Sequence, residues 1–194
     1  YRGRAPIPWS ILKGLKKSAL TFFYIQEGID DGDIVIQKQF DINDIDDATS
    51  LYEKMTTLGK QMLSKILPLL EINQIIGKKQ NSKLFIENWP KRTPLDGKID
   101  WTKPAKEIHN LIRATTYPYP GAYTFFKNKK LIIWKSTLDT SIIGEPGKII
   151  IHNNQVKIGT YDGSVFLDMV SYDYHENKNG LEIFSFSDNG MKLE

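Results

Sequence analysis

Two short apolar runs, residues 19–25 and 34–40, are rich in the aromatic and β-branched types that suit a buried strand. Ahead of them, Pro8, Trp9, Ile11 and Leu12 predict a short helix that Gly14 can end. Behind them, Leu51, Met55, Leu58, Met62, Leu63, Ile66, Leu69 and Leu70 recur at three- and four-residue steps and predict one long amphipathic helix. Ser50 and Glu53 have the spacing of a capping box, which places its start near Ser50, and Pro68 is expected to kink or end it. Residues 77–83 are polar and residues 89–97 carry two prolines and a glycine, so this stretch reads as a linker that travels over the surface and marks a domain boundary. Thr102 is then expected to cap a helix whose apolar face holds Ala105, Ile108, Leu111 and Ile112.

From residue 122 onward the period changes from helical to alternating. Strands are predicted at 122–126, 131–135, 148–151, 155–158, 165–170 and 181–186, with turns at 127–130 and 152–154. So many short strands in about 70 residues suit a small closed barrel of the OB type, an architecture that does not settle function by itself.

Composition narrows the class. With 194 residues, 40% of them hydrophobic, the chain can bury a sizeable core in one or two domains. No apolar run approaches the ~20 residues a membrane helix needs, and the absence of cysteine removes disulfide and thiolate chemistry and fits a reducing cytoplasm. A net charge of +3 admits anionic ligands but is smaller than a dedicated nucleic-acid binder would carry.

The candidate chemistry lies between the first two strands. Glu27-Gly28-Ile29-Asp30-Asp31-Gly32-Asp33-Ile34 sets three aspartates and two glycines where flanking strands could hold a carboxylate rigidly. The same composition also makes an ordinary acidic turn whose glycines supply positive φ. Arg2 and Arg4 flank Gly3 and could grip a phosphate, although a solvated basic segment reads the same way. His109 lies beside an apolar helix face with no second histidine or cysteine near it, so it reads as a packed residue and not as a metal ligand. The sequence opens at Tyr1 without a methionine, and a preceding portion is expected to be missing.

Four stretches in order carry a resemblance. They are Tyr1-Arg2-Gly3-Arg4-Ala5-Pro6, the loop from Gly28 to Ile34, Asp96-Gly97-Lys98-Ile99-Asp100-Trp101, and Ile108-His109-Asn110-Leu111-Ile112-Arg113-Ala114 running on to Pro120-Gly121-Ala122. Together they resemble the folate-dependent formyltransferases, the group of the methionyl-tRNA formyltransferases and the nucleotide amino-sugar N-formyltransferases. The resemblance implies the C-terminal half of a Rossmann-like catalytic domain over residues 1–80, a linker over 81–103 and an OB-like barrel domain over 104–194. It implies 10-formyltetrahydrofolate as co-substrate and a catalytic set of Asn, His and Asp. Only the aspartate falls within this chain, at Asp30; the Asn and His would lie upstream of Tyr1, so the chain is not expected to catalyse alone.

Further roles follow from the same resemblance. Ile25, Gln26, Glu27, Gly28, Ile29 and Asp30 would hold the folate, with Gly28 allowing close approach, while Tyr1, Arg2, Gly3, Arg4, Arg92 and Thr93 would meet the acceptor substrate. Asp31 would be a solvated neighbour and Asp33 the start of the next strand. No metal is implied. Trp89-Pro90-Lys91-Arg92-Thr93-Pro94 resembles the sugar enzymes, whose acceptor is a UDP- or dTDP-linked 4-amino-4-deoxy sugar. Methionyl-tRNA is the alternative acceptor, and a non-catalytic binding module is a third reading from another class. A tRNA reader should gather lysine and arginine on a broad face, whereas basic residues here are interspersed with acidic ones. A cytoplasmic protein with no membrane partner is expected, with a homo-oligomer left open.

Overall fold

Residues 2–89 alternate short strands with two helices, in the order β1 (Arg2–Gly3), α1 (Pro6–Leu12), β2 (Lys17–Phe23), β3 (Ile34–Asp41), α2 (Ala48–Glu71) and β4 (Asn88–Trp89). The structure, a computed structural model, describes residues 1–81, 83, 85–139 and 144–194. It divides into two units, Tyr1–Arg92 and Thr93–Glu194.

In the first unit α2 supplies most of the apolar surface. Leu51, Leu58, Met62 and Ile66 are buried at helical spacing, and Ile7 and Ile11 of α1 are buried as well, with α1 and α2 in contact. The helix begins earlier than its sequence suggests. Asp47, not Ser50, is the N-cap: its carboxylate accepts from the Ser50 amide at 2.9 Å while the Ser50 hydroxyl accepts from the Asp47 amide at 3.1 Å. Ser50 therefore occupies the third helical position of the box. Pro68 does not stop the helix, which runs on to Glu71. Leu63, Leu69 and Leu70, expected in the core, are exposed.

β2 and β3 pair antiparallel from Lys17↔Asp41 to Phe23↔Ile34. Both are expected to be buried, yet they are half-buried at best, with Gln37, Lys38 and Gln39 of β3 exposed; α2 contacts both strands. β1 pairs parallel with β4, Arg2 opposite Asn88 and Gly3 opposite Trp89. Trp89 is only 6% exposed and stacks on the Tyr1 ring at 4.6 Å, so this part of the expected surface linker is built into the unit. Ser82 and Leu84 of that linker lie outside the described residues.

The second unit contains α3 (Ala105–Thr115), β5 (Ala122–Phe126), β6 (Lys129–Asp139), β7 (Ile149–His152), β8 (Gln155–Gly159), β9 (Ser164–Tyr172) and α4 (Gly180–Ile183). The five strands form one antiparallel sheet in the order β5-β6-β9-β8-β7. Lys127-Asn128 and Asn153-Asn154 turn the β5–β6 and β7–β8 hairpins with positive φ at both central positions, the geometry that matches strand twist. Ile108 and Ile112 of α3 join Ala122, Leu131, Ile133, Ile149, Ile158, Val165 and Val170 in the core.

Three expectations for this unit change. Thr102 does not cap α3; its hydroxyl donates to Asp100 at 2.6 Å, and the Ala105 amide is met by the Asp162 carboxylate at 2.8 Å. Residues 181–186 are not a strand: Asn179 and Glu182 cap α4 reciprocally, and Ser185 with Asp188 caps a 3₁₀ turn at Phe186–Asp188. The sheet ladder leaves β5 and β7 as edges, and no closed barrel forms among the described residues. Both edges are met by the last residues: Phe125 and Glu194 exchange backbone bonds at 3.2 and 3.0 Å, and the Ile149 amide donates to Met191 at 2.8 Å. Among the described residues no helix is long and apolar enough to cross a membrane.

Candidate functional site

The β2–β3 loop is closed at its base by the Tyr24 amide, which donates to the Asp33 carbonyl at 3.0 Å. Within it the left-handed residue is Asp30 itself, at φ +49°, and neither Gly28 nor Gly32. Aspartate tolerates this region better than most residues, so the loop fits a carboxylate at that position without a glycine. Gly32 serves another purpose. It is buried, and a Cβ there would run into the Tyr24 carbonyl oxygen.

Asp30 is aimed by the start of the chain. Its Oδ2 accepts from the Gly3 amide at 3.2 Å, and among the described residues its carboxylate takes no other hydrogen bond. Gly3 stands at φ +105° with the Trp89 carbonyl oxygen 2.5 Å from where a Cβ would be, so only glycine can present the amide in this way. The β1–β4 pairing holds it there, with the Arg4 amide donating to Trp89 at 3.0 Å and the Arg2 amide to Glu87 at 3.2 Å. The Lys13 ammonium and the Trp89 indole N–H, both donating to Glu87, hold its carboxyl below the usual carboxylate range.

Gln80 completes the arrangement and was not singled out from the sequence. Its amide nitrogen donates to the Asp30 carbonyl at 2.9 Å and to the Gly32 carbonyl at 2.7 Å, while its Oε1 accepts from Arg2 Nη2 at 2.9 Å. A glutamine in a polar stretch carries no spacing signal. The polar character of the stretch around it reads as a linker. Arg2 also lies 5.4 Å over the Phe85 ring. Tyr1, Arg2, Gly3 and Asp30 line one cavity of about 390 Å³, with Gln80 and Trp89 among its other walls.

The remaining expected residues fall elsewhere. Ile25 is 94% exposed, and Gln26, Glu27, Gly28 and Ile29 are exposed and do not line this cavity. The space over Gly28 is taken by the Asp31 carboxylate. Arg4 is not among the residues that line the cavity, and the Arg92 guanidinium lies 5.1 Å over the Trp9 ring, whose Nε1 donates to the Pro90 carbonyl at 2.9 Å. Thr93 opens the second unit, and its hydroxyl, at 3.0 Å, and its amide both donate to the Asp96 carboxylate at the start of the 3₁₀ turn Pro94–Gly97. His109 Nδ1 meets the Ser136 hydroxyl at 3.0 Å. The site therefore joins a positioned carboxylate, an arginine fork and a concave wall, a set able to accept or relay a proton beside an anionic ligand.

Two family descriptions fit this chain. "Formyl transferase" matches residues 1–67 and "Formyl transferase, C-terminal domain" matches residues 91–185. The chain belongs to the folate-dependent formyltransferases. Among curated relatives of this formyltransferase chain, a methionyl-tRNA formyltransferase of Alkaliphilus oremlandii is 41% identical over 151 residues, which cover 77% of this chain and 48% of the relative. The chain thus spans about half the length of the curated relatives it matches. Among solved structures, the N-formyltransferase of Helicobacter canadensis, in complex with folinic acid and dTDP-3-aminofucose, is 28% identical with a TM-score of 0.66, covering 90% of this chain and 62% of that one. HypX of Aquifex aeolicus, in complex with tetrahydrofolic acid, shares the fold at a TM-score of 0.74 and 21% identity, covering 94% of this chain and 32% of that one.

Proposed function

We propose that the protein transfers a formyl group from 10-formyltetrahydrofolate to the amine of a nucleotide-linked amino sugar of the UDP- or dTDP-4-amino-4-deoxy type, with Asp30 as the catalytic carboxylate of this chain. The observation that carries the reading is the Asp30 carboxylate fixed by the Gly3 amide at 3.2 Å on a cavity wall shared with Arg2. Formyl transfer joins the acceptor nitrogen to the formyl carbon, breaks the bond from that carbon to the folate nitrogen, and moves a proton from the first nitrogen to the second. An anchored carboxylate suits the proton relay. In this reading Asp30 would act with a base partner and an oxyanion donor, and the first unit itself contains no histidine.

The loop from Ile25 to Ile29 would receive the folate along its exposed backbone, with the Asp31 carboxylate moving off Gly28 to admit it. Tyr1, Arg2, Gly3 and Arg4 would face the acceptor, and Arg92 and Thr93 would contribute from the Trp89–Pro94 segment. In this reading residues 1–80 are the second half of a Rossmann-like catalytic domain and 81–103 a linker. Residues 104–194 form an OB-like domain, a reading supported by the bonding of both sheet edges to residues 191–194.

A second acceptor, methionyl-tRNA, is favoured by the name of the 41% identical relative. The small-ligand reading is favoured by the sugar nucleotide in the Helicobacter canadensis complex and by the Trp-Pro-Lys-Arg-Thr-Pro string. Incubating the whole protein with 10-formyltetrahydrofolate and either a nucleotide 4-amino sugar or aminoacylated initiator tRNA decides between them. Formylated sugar is expected; formylated tRNA alone establishes the second reading, and neither product supports a non-catalytic module.

A further inference from the structure

We infer that Gln80 is the positioning residue of this site: it fastens the Asp30 loop in its reactive shape and ties that loop to the acceptor-binding Arg2. The inference rests on the reading of Asp30 as the catalytic carboxylate. A glutamine side chain offers two N–H donors and one carbonyl oxygen, and here every part is in use. The two donors go to the carbonyls of Asp30 and Gly32, which flank Asp31, and the oxygen goes to the Arg2 guanidinium. Pinning these two carbonyls fixes the peptide planes that follow Asp30 and Gly32, one on either side of the Asp31–Gly32 step, and so helps hold Asp30 in its left-handed conformation, at φ +49°.

The clamp is itself anchored. Lys78, two residues before Gln80, exchanges backbone hydrogen bonds with Ile34 at 2.8 Å in each direction, and the Tyr24 hydroxyl donates to the Ile75 carbonyl at 3.3 Å. The segment carrying Gln80 is thereby tied to both ends of the β2–β3 loop. A neutral acceptor for Arg2 also matters. A carboxylate at position 80 would neutralise the guanidinium, whereas the amide oxygen orients it and leaves its charge and the rest of its fork for an anionic group in the cavity. Binding of that anion would be felt at Asp30 through a single side chain.

The test compares Gln80→Met, which keeps the bulk without the hydrogen bonds, and Gln80→Glu, which keeps the shape and the acceptor without the donors, in the whole protein. Gln80→Met is expected to lower kcat roughly tenfold with the KM of the formyl donor changed less than about twofold. Gln80→Glu is expected to lower kcat similarly and to raise the KM of an anionic acceptor roughly tenfold, because its carboxylate occupies Arg2. Hydrogen exchange at the Gly3 amide gives a readout independent of turnover, and Gln80→Met should speed it roughly tenfold while leaving the amides of β6 unchanged. Wild-type kcat and wild-type Gly3 protection in Gln80→Met overturn the inference, as does a loss of thermal stability with kcat retained. Full turnover in Asp30→Asn overturns the catalytic reading, whereas full turnover in Gln80→Met beside an inactive Asp30→Asn overturns this inference alone.

Discussion

The Gly3 backbone amide donates to Oδ2 of Asp30 at 3.2 Å, joining the first strand to the β2–β3 loop across 27 residues of sequence. Gly3→Ala cannot keep this contact, because the new Cβ would meet the Trp89 carbonyl and φ +105° is hostile to any side chain. The substitution is expected to destabilise the first unit by about 1–3 kcal/mol and to reduce formyl transfer beyond what that loss explains. Thermal unfolding measured beside turnover at a temperature where the variant stays folded checks both parts.

Arg2 offers a planar fork to the cavity while Gln80 and the Phe85 ring hold it in place. Arg2→Lys keeps the charge but loses the two-pronged geometry, so the KM of a diphosphate-bearing acceptor should rise about tenfold with a smaller change in kcat. Steady-state kinetics with the acceptor varied at saturating formyl donor measures the split.

Two buried aspartates are expected to contribute to the acid sensitivity of the fold. At Asp188 the Lys127 ammonium and the Ser185 amide hold the carboxyl below the usual range in spite of burial. At Asp46 burial pushes the carboxyl up, but the Lys54 ammonium, the Asn43 amide and the Ser50 hydroxyl together outweigh it and the net direction is down. A carboxyl with a lowered folded pKa stabilises the fold above its unfolded value, near pH 4, and that contribution is lost as pH falls through the folded value. The unfolding midpoint should therefore be level above about pH 5 and drop below about pH 4. Asp188→Asn should cost about 1–2 kcal/mol at neutral pH, discounted for the exposed lysine, and should flatten the acid drop. Thermal melts from neutral to acid pH read the effect directly.

Legibility followed the range of the forces involved. The hairpin strands and α2 were readable because burial imposes a period on the sequence, and Leu51, Leu58, Met62 and Ile66 show it. The exposure of Leu63, Leu69 and Leu70 was not, since periodicity states which face is apolar and not how far its partner extends. Helix starts were misplaced where a competing side chain took the cap: Asp47 displaced Ser50, and Asp162 supplied from a distance what Thr102 was expected to give. The strand expected at 181–186 failed because two reciprocal caps, Asn179 with Glu182 and Ser185 with Asp188, outweighed its apolar alternation. At the site, Asp30, Arg2 and Gly3 stand within the motifs and share one cavity, but Gln80 ties Asp30 and Gly32 to Arg2 by contacts 48 to 78 residues apart that no local pattern encodes.

The most direct test is the turnover of Asp30→Asn in the whole protein, measured with 10-formyltetrahydrofolate and the preferred acceptor. Asparagine keeps the size of the side chain and an oxygen able to accept from the Gly3 amide, so folding should be almost unchanged while kcat falls by roughly 10²–10⁴. Turnover within about twofold of the unsubstituted protein would contradict the assignment of Asp30 as the catalytic carboxylate.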